Sequence, residues 1–164
     1  VIVSADMDLS QLLQDLDEQY DLAKDQRWGA GGVKARHGVH AHQIADYLAL
    51  TGDAVDNIPG VTGIGPKSAA VLLAHFESLD ALLARIDEVP FLRLRGAATL
   101  ATRLREQREH ALLWRRLTTI ALDAPLPEHG FARGRGDVDE LAALADWVKF
   151  GPMTRKRLVD AAGL

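Results

Sequence analysis

Apolar residues in this chain recur mostly at three- and four-residue spacing, the period of helices that bury one face. From about Ala41 to Leu50 the repeating positions are Ile44, Tyr47, Leu48 and Ala49, and Gly52 ends the run. A second run, Ala69 to Phe76, opens at Gly65-Pro66. Pro66 suits a first helical position, where its missing N–H has no intrahelical partner to lose. Ser78 then caps a short helix holding Leu79, Leu82, Leu83 and Ile86, and Pro90 stops it. Residues 97–119 carry Leu100, Leu104, Ala111, Leu112, Trp114 and Leu117 in one helical pattern. Trp114 is read as core, not as a base-stacking platform, because its neighbours are apolar. Pro125, Pro127, Gly130, Gly134 and Gly136 form a loop, Asp137 or Asp139 caps a helix from Glu140 to Val148, and Gly151-Pro152 opens a last one.

The beginning follows another period. Val1-Ile2-Val3 is a short β-branched run, expected to be a buried parallel strand with Asp6 and Asp8 at its carboxyl tip, where open α/β sheets keep their sites. Asp8 can cap a helix over Leu9 to Leu13. Tyr20 to Ala23 alternates as a strand, with Gln26, Arg27 and Trp28 as its hairpin partner. Gly29 to Gly32 breaks the chain and divides this sheet, residues 1–32, from the helical remainder, residues 33–164.

Between the two best-defined helices lies Gly60-Val61-Thr62-Gly63-Ile64-Gly65-Pro66-Lys67-Ser68. Such a loop entering a helix presents free amides and the positive end of a helix dipole, and Lys67 adds a full charge, so a phosphate is a natural occupant. A nucleotide P-loop needs four residues between its first glycine and an uninterrupted Gly-Lys-Ser/Thr, whereas Pro66 separates Gly65 from Lys67. That leaves a hairpin gripping a nucleic-acid backbone through main-chain amides, or a plain tight turn between helices. Asp53 and Asp56 precede it at a spacing that puts both carboxylates on one side of a helical turn. They are either solvated caps or, with Asp6 and Asp8, ligands for Mg2+ or Mn2+, which take hard oxygen donors.

The segments Ser4 to Leu13 and Asp46 to Ala69 together resemble the bacterial 5'-3' exonucleases and flap endonucleases, including the 5'-nuclease domain of DNA polymerase I. The resemblance implies a mainly α fold: the remnant of an α/β, PIN-like nuclease sheet, then a helical domain whose helix-three-turn-helix, about 41–76, binds duplex DNA. It implies Asp6, Asp8, Asp53 and Asp56 as metal ligands for two divalent ions, and phosphate contacts at Gly63, Ile64, Gly65, Pro66, Lys67 and Ser68. It implies K+ held by main-chain carbonyls of Leu50, Thr51, Pro59, Val61 and Ile64. The expected substrate is duplex DNA with a 5' end or flap, cut by a monomeric cytoplasmic enzyme. Family members carry a strand Asp, a basic arch and a Glu-x-Asp-Asp group before the first motif seen here, so this chain corresponds to the carboxyl-terminal portion and is expected to be truncated at its amino end. A non-catalytic duplex-binding module is the alternative.

Composition narrows these readings. The 164 residues are 48% hydrophobic and 26% charged, enough for one domain with a core or a domain and a small extension. With no cysteine, disulfides and thiolate zinc sites are excluded. His37, His40 and His42 are assigned to a loop as surface or capping residues. No apolar run nears the roughly 20 residues that span a bilayer. A net charge of −4 is awkward for a DNA binder, but it is unevenly spread: residues 1–32 balance at −5 and residues 85–116, with eight arginines, at +4. The basic stretch is either a face that tracks a phosphate backbone or a helix surface laced with ion pairs.

Overall fold

The structure is a computed structural model that describes residues 1–126 and 136–163. It separates into two compact units, Val1–Asp123 and Ala124–Leu164. Sheet and hairpin fall in the same unit, so the expected division at 32/33 lies inside it.

In the first unit, strand β1 (Ile2–Val3) pairs in parallel with β2 (Glu18–Asp21), which pairs antiparallel with β3 (Gln26–Gly29). The parallel pairing is as expected, but β1 is only half-buried: Ile2 packs partly against the core while Val3 is 62% exposed. The phase of β2 also differs. Its inward residues are Gln19 and Asp21, while Leu22 lies outside the strand and exposed. Those buried polar groups are satisfied, as burial demands. Gln19 donates to the carbonyls of Ser4 (3.0 Å) and Asp6 (2.6 Å) and accepts from the Ser10 hydroxyl (2.6 Å), and Asp21 accepts the amides of Ala23 and Lys24 in the turn.

The sheet gives way to helix within Gly29 to Gly32, but with no loop between them: β3 ends at Gly29, and helix α1 (Ala30–His37) begins at once. Gly32 lets that helix sit against Trp28, whose Cβ would be 2.7 Å from a Cβ at position 32. His37 therefore closes a helix, half-buried, and burial, with some help from Arg36, lowers its pKa. His40, as expected of a cap, forms a capping box with Gln43 at the start of a short 3-10 turn.

Helix α2 (Ile44–Thr51) is the centre of the core, and α3 (Pro66–Phe76) and α6 (Arg108–Thr118) pack on it. Ile44, Leu48, Leu50, Leu72, Leu73 and Phe76 are fully or almost fully buried. Ser78 caps α4 (Leu79–Ala84) by accepting the Ala81 amide. Pro90 does not end that run but lies inside a following 3-10 turn, Ile86–Phe91, whose Val89 is buried. The single helix expected over 97–119 is two, α5 (Ala97–Glu106) and α6, meeting at Gln107. Trp114 is partly buried against the core and stacked on His110.

One buried carboxylate joins three helices. Asp46 of α2 accepts the Leu79 amide of α4 (2.8 Å) and lies 4.0 Å from Arg115 of α6, which also pairs with Asp80. Burial outweighs these contacts and raises the Asp46 pKa.

The second unit holds α7 (Val138–Trp147), capped at Asp137, and α8 (Pro152–Ala162). Arg155 ties them by donating to Asp146, Ala145 and Phe150. Of the loop expected from Pro125 to Gly136, residues 127–135 lie outside the described residues. No described helix is long and apolar enough to cross a membrane.

Because Asp46 accepts the buried Leu79 amide while Arg115 keeps its pairing with Asp80, Asp46→Ala should lower stability by about 1–3 kcal/mol, the cost of leaving that amide unsatisfied in the interior. Asp46→Asn keeps an acceptor and sheds a charge that burial already penalises, so it should cost less; urea unfolding of the two variants measures the difference.

Candidate metal and nucleic-acid site

The short parallel strand delivers Asp6 and Asp8 to the surface, and the buried Gln19 pins the backbone around them. Asp8 does not act as a cap. It is the first residue of a 3-10 turn, Asp8–Leu12, and its own amide donates to Asp6 Oδ1 (3.0 Å). Gln11 fastens the same turn to the end of α6, donating to the carbonyls of Asp8 and Thr118 and accepting the Ile120 amide.

Asp53 and Asp56 come from the segment after α2, which is a tight loop and not the helical turn their spacing suggested. Asp53 and Ile58 exchange two backbone hydrogen bonds of 2.7 Å, Asp53 Oδ1 accepts the Val55 amide, and Asn57 takes a left-handed conformation to close the loop. The outcome for the carboxylates is the same. Oxygens of Asp8, Asp53 and Asp56 lie within 4.8 Å of one another. Asp6 stands outside this group, turned to the Asp8 amide.

Like charges this close resist ionising together. The pKa of Asp8 is pushed up to about 6, first by burial, then by Asp6, Asp53 and Asp56. Asp8 Oδ1 is buried and has no hydrogen-bond partner among the described residues. A buried, unpartnered carboxylate oxygen facing two further carboxylates is what a hard divalent cation would satisfy.

The loop after Asp56 folds back on the end of α2. The Val61 amide donates to Leu50 (2.9 Å), and the Ile64 amide to Val61 (2.9 Å). Gly52 and Gly60, both at positive φ, let the two backbones touch, since a Cβ on Gly60 would stand 2.3 Å from the Gly52 nitrogen. Of the five carbonyls expected to hold K+, those of Leu50 and Val61 thus each accept one amide, while those of Thr51, Pro59 and Ile64 accept none from the described residues. Of these residues, Thr51 and Pro59 lie directly at the glycine contact: a Cβ on Gly52 would stand 2.7 Å from the Pro59 carbonyl oxygen, and one on Gly60 2.5 Å from the Thr51 carbonyl carbon.

The turn entering α3 is exposed at Gly63, Gly65, Pro66 and Lys67 and half-buried at Ser68. Gly65 is the N-cap and supplies no side chain, so among the described residues the amides of Gly63, Gly65, Lys67 and Ser68 donate to nothing. Ile64 differs from the other expected phosphate contacts. Its side chain is buried and its amide is already used.

The arginines of 85–116 are largely engaged. Arg85 pairs with Glu88, Arg105 with Asp87 and Arg115 with Asp80, while Arg108 donates to the Leu83 carbonyl. Three of the eight arginines are thus ion-paired among the described residues, so the ion-pair-laced reading describes part of that stretch. Gln19, Gln11 and Gln107 escape the sequence reading, since an uncharged polar residue within an amphipathic pattern gives no signal of the backbone it will hold.

Comparison with known proteins agrees with this geometry. Residues 39–135 match the family model described as 5'-3' exonuclease, C-terminal SAM fold. DNA polymerase I of Pseudomonas aeruginosa is 42% identical over 127 residues, 77% of this chain and 14% of the relative. A 5'-3' exonuclease of Buchnera aphidicola is 33% identical over 126 residues, covering 77% of this chain and 44% of its own length. A structure of T5 5'-exonuclease with bound divalent zinc superposes with a TM-score of 0.60 at 26% identity, over 71% of this chain and 41% of that one. A bacteriophage T5 flap endonuclease in complex with DNA and metal ions shares the fold over 99% of this chain and 52% of its own, with a TM-score of 0.63 at 21% identity. Mostly helical, with a small sheet that brings acids beside a glycine hairpin, the chain belongs to the 5'-3' exonuclease family and carries its C-terminal SAM fold.

Proposed function

We propose that this chain acts on DNA as part of a divalent-metal-dependent 5'-3' exonuclease or flap endonuclease, holding the duplex at the hairpin and contributing carboxylates to the metal centre. The observation that supports this most is the meeting of Asp8, Asp53 and Asp56 around a buried, unpartnered Asp8 oxygen. The chain spans only 14% and 44% of the two relatives compared above, so the complete reaction is proposed for the family architecture.

In this reading Asp8, Asp53 and Asp56 hold Mg2+ or Mn2+, and Asp6 supports them by fixing the Asp8 backbone. A bound divalent ion would supply charge neutralisation and an activated water for phosphodiester hydrolysis. The free amides of Gly63, Gly65, Lys67 and Ser68, with the Lys67 ammonium, would receive the DNA backbone without reading sequence. Such contacts contribute positioning, since the reacting phosphate must be held in place before chemistry. The carbonyls of Leu50, Thr51, Pro59, Val61 and Ile64 would hold K+, which suits uncharged main-chain oxygens. The setting is the cytoplasm, with the DNA.

A labelled 5'-flap duplex with Mn2+ tests the proposal: salt-sensitive binding, and cleavage that Asp53→Asn abolishes, are expected. Binding without cleavage would leave the duplex-binding module, and no binding at low salt would remove both. Mn2+ affinity, read by calorimetry without DNA, should fall at least about tenfold in Asp8→Asn, the lower end of what losing even a supporting group costs.

The same affinity should fall as pH drops through about 6, because a cation must displace the Asp8 proton. In the metal-free protein the folded state keeps that proton to higher pH than the unfolded chain does. Its contribution to stability is therefore full below the ordinary aspartate value and lost as pH rises through about 6. Asp8→Asn should flatten this dependence and raise the metal-free melting temperature at pH values above 7.

A further inference from the structure

Two side chains from the α5–α6 corner reach the tip of the hairpin. Gln107 Oε1 accepts the Thr62 amide (3.1 Å), and Gln107 Nε2 donates to the Thr62 hydroxyl (3.0 Å). Arg103 Nη1 donates to the Thr62 carbonyl (3.0 Å). The amide, hydroxyl and carbonyl of Thr62 are thus held by residues 41 and 45 positions later in the chain.

Arg103 lies against the next residue as well. A Cβ on Gly63 would stand 2.0 Å from Arg103 Nη1, so the missing side chain is the space the guanidinium occupies. Arg103 also differs from Arg85, Arg105 and Arg115, each of which has a carboxylate partner. Among the described residues its single bond is to a neutral carbonyl, so its charge is uncompensated and four of its five N–H donors remain. The flanking Leu100, Ala101 and Leu104 are buried and fix the helix that carries it.

We propose that Arg103 is a further phosphate contact of the hairpin, completing the anion site made by Lys67 and the free amides of Gly63 and Gly65, and that Gln107 is the positioning residue that holds Thr62 in the required conformation. This rests on the duplex-binding reading above. A planar guanidinium fork with spare donors matches a phosphate's oxygens better than an ammonium does. Its bond to Thr62 sets its place beside Gly63, so less side-chain freedom is lost when the anion arrives.

The test is the salt dependence of binding to a fluorescent duplex, measured with EDTA present so that nothing is cut, across a series of KCl concentrations. The Arg103→Gln variant should weaken binding and reduce the slope of log affinity against log salt by about 0.9, the signature of one phosphate contact. Arg103→Lys should keep the wild-type slope with part of the affinity. Gln107→Ala should weaken binding with the slope unchanged. If the wild type binds salt-dependently while Arg103→Gln keeps its slope, or Gln and Lys at position 103 weaken binding alike without changing it, Arg103 is structural and the inference falls alone. If the wild type does not bind duplex at low salt, the inference falls together with the reading beneath it.

Discussion

The contact on which this site depends is between backbone and backbone. Residues 50–53 and 58–61 lie against each other through the Val61 amide on Leu50 and the paired bonds of Asp53 and Ile58. Gly52 and Gly60 make that approach possible, both in the left-handed region and both without room for a Cβ. The pinch does two things. It throws Asp53 and Asp56 out as a loop toward Asp8, and it starts the turn that enters α3, where the amides of Gly63, Gly65, Lys67 and Ser68 have no partner among the described residues. The carboxylates proposed for metal and the amides proposed for phosphate are therefore two ends of one short structure, and their separation cannot drift independently.

Charge is managed differently at the two ends. The acids are crowded with no cationic partner among the described residues, and with burial this goes with a raised Asp8 pKa and a buried Asp8 oxygen that no described residue satisfies. The basic stretch shows the reverse economy, with Arg85, Arg105 and Arg115 neutralised locally. A net charge of −4 is thus compatible with anion binding, because the relevant charges are those left over at the hairpin.

Much of the helical layout was legible in periodicity and caps. Pro66 at a helix start and the Ser78 cap stand where the pattern puts them, and Gly52 follows the end of α2 as expected. Failures cluster where tertiary contact overrides a local signal. Gly29 to Gly32 reads as a breaker, yet its small residues let α1 close on Trp28. Pro90 reads as a stop and sits within a 3-10 turn. The continuous pattern over 97–119 hides the corner at Gln107. In the site, aspartate spacing pointed to carboxylates of which the fold brings three together, Asp8, Asp53 and Asp56, while Asp6 stays outside, and Asp53 and Asp56 meet through a bridged loop and not a helical face. Gln19 was invisible, since a buried amide in a strand breaks the alternation that strand recognition uses.

That amide has an effect on how the centre responds to acidity. Gln19, Ser10 and Gln11 fasten the segment bearing Asp6 and Asp8, and none of the three titrates in the biological range. Protons can come and go at Asp8 while these amide and hydroxyl fastenings stay chemically indifferent, so acidification alters the site's electrical state and leaves that part of its joinery in place.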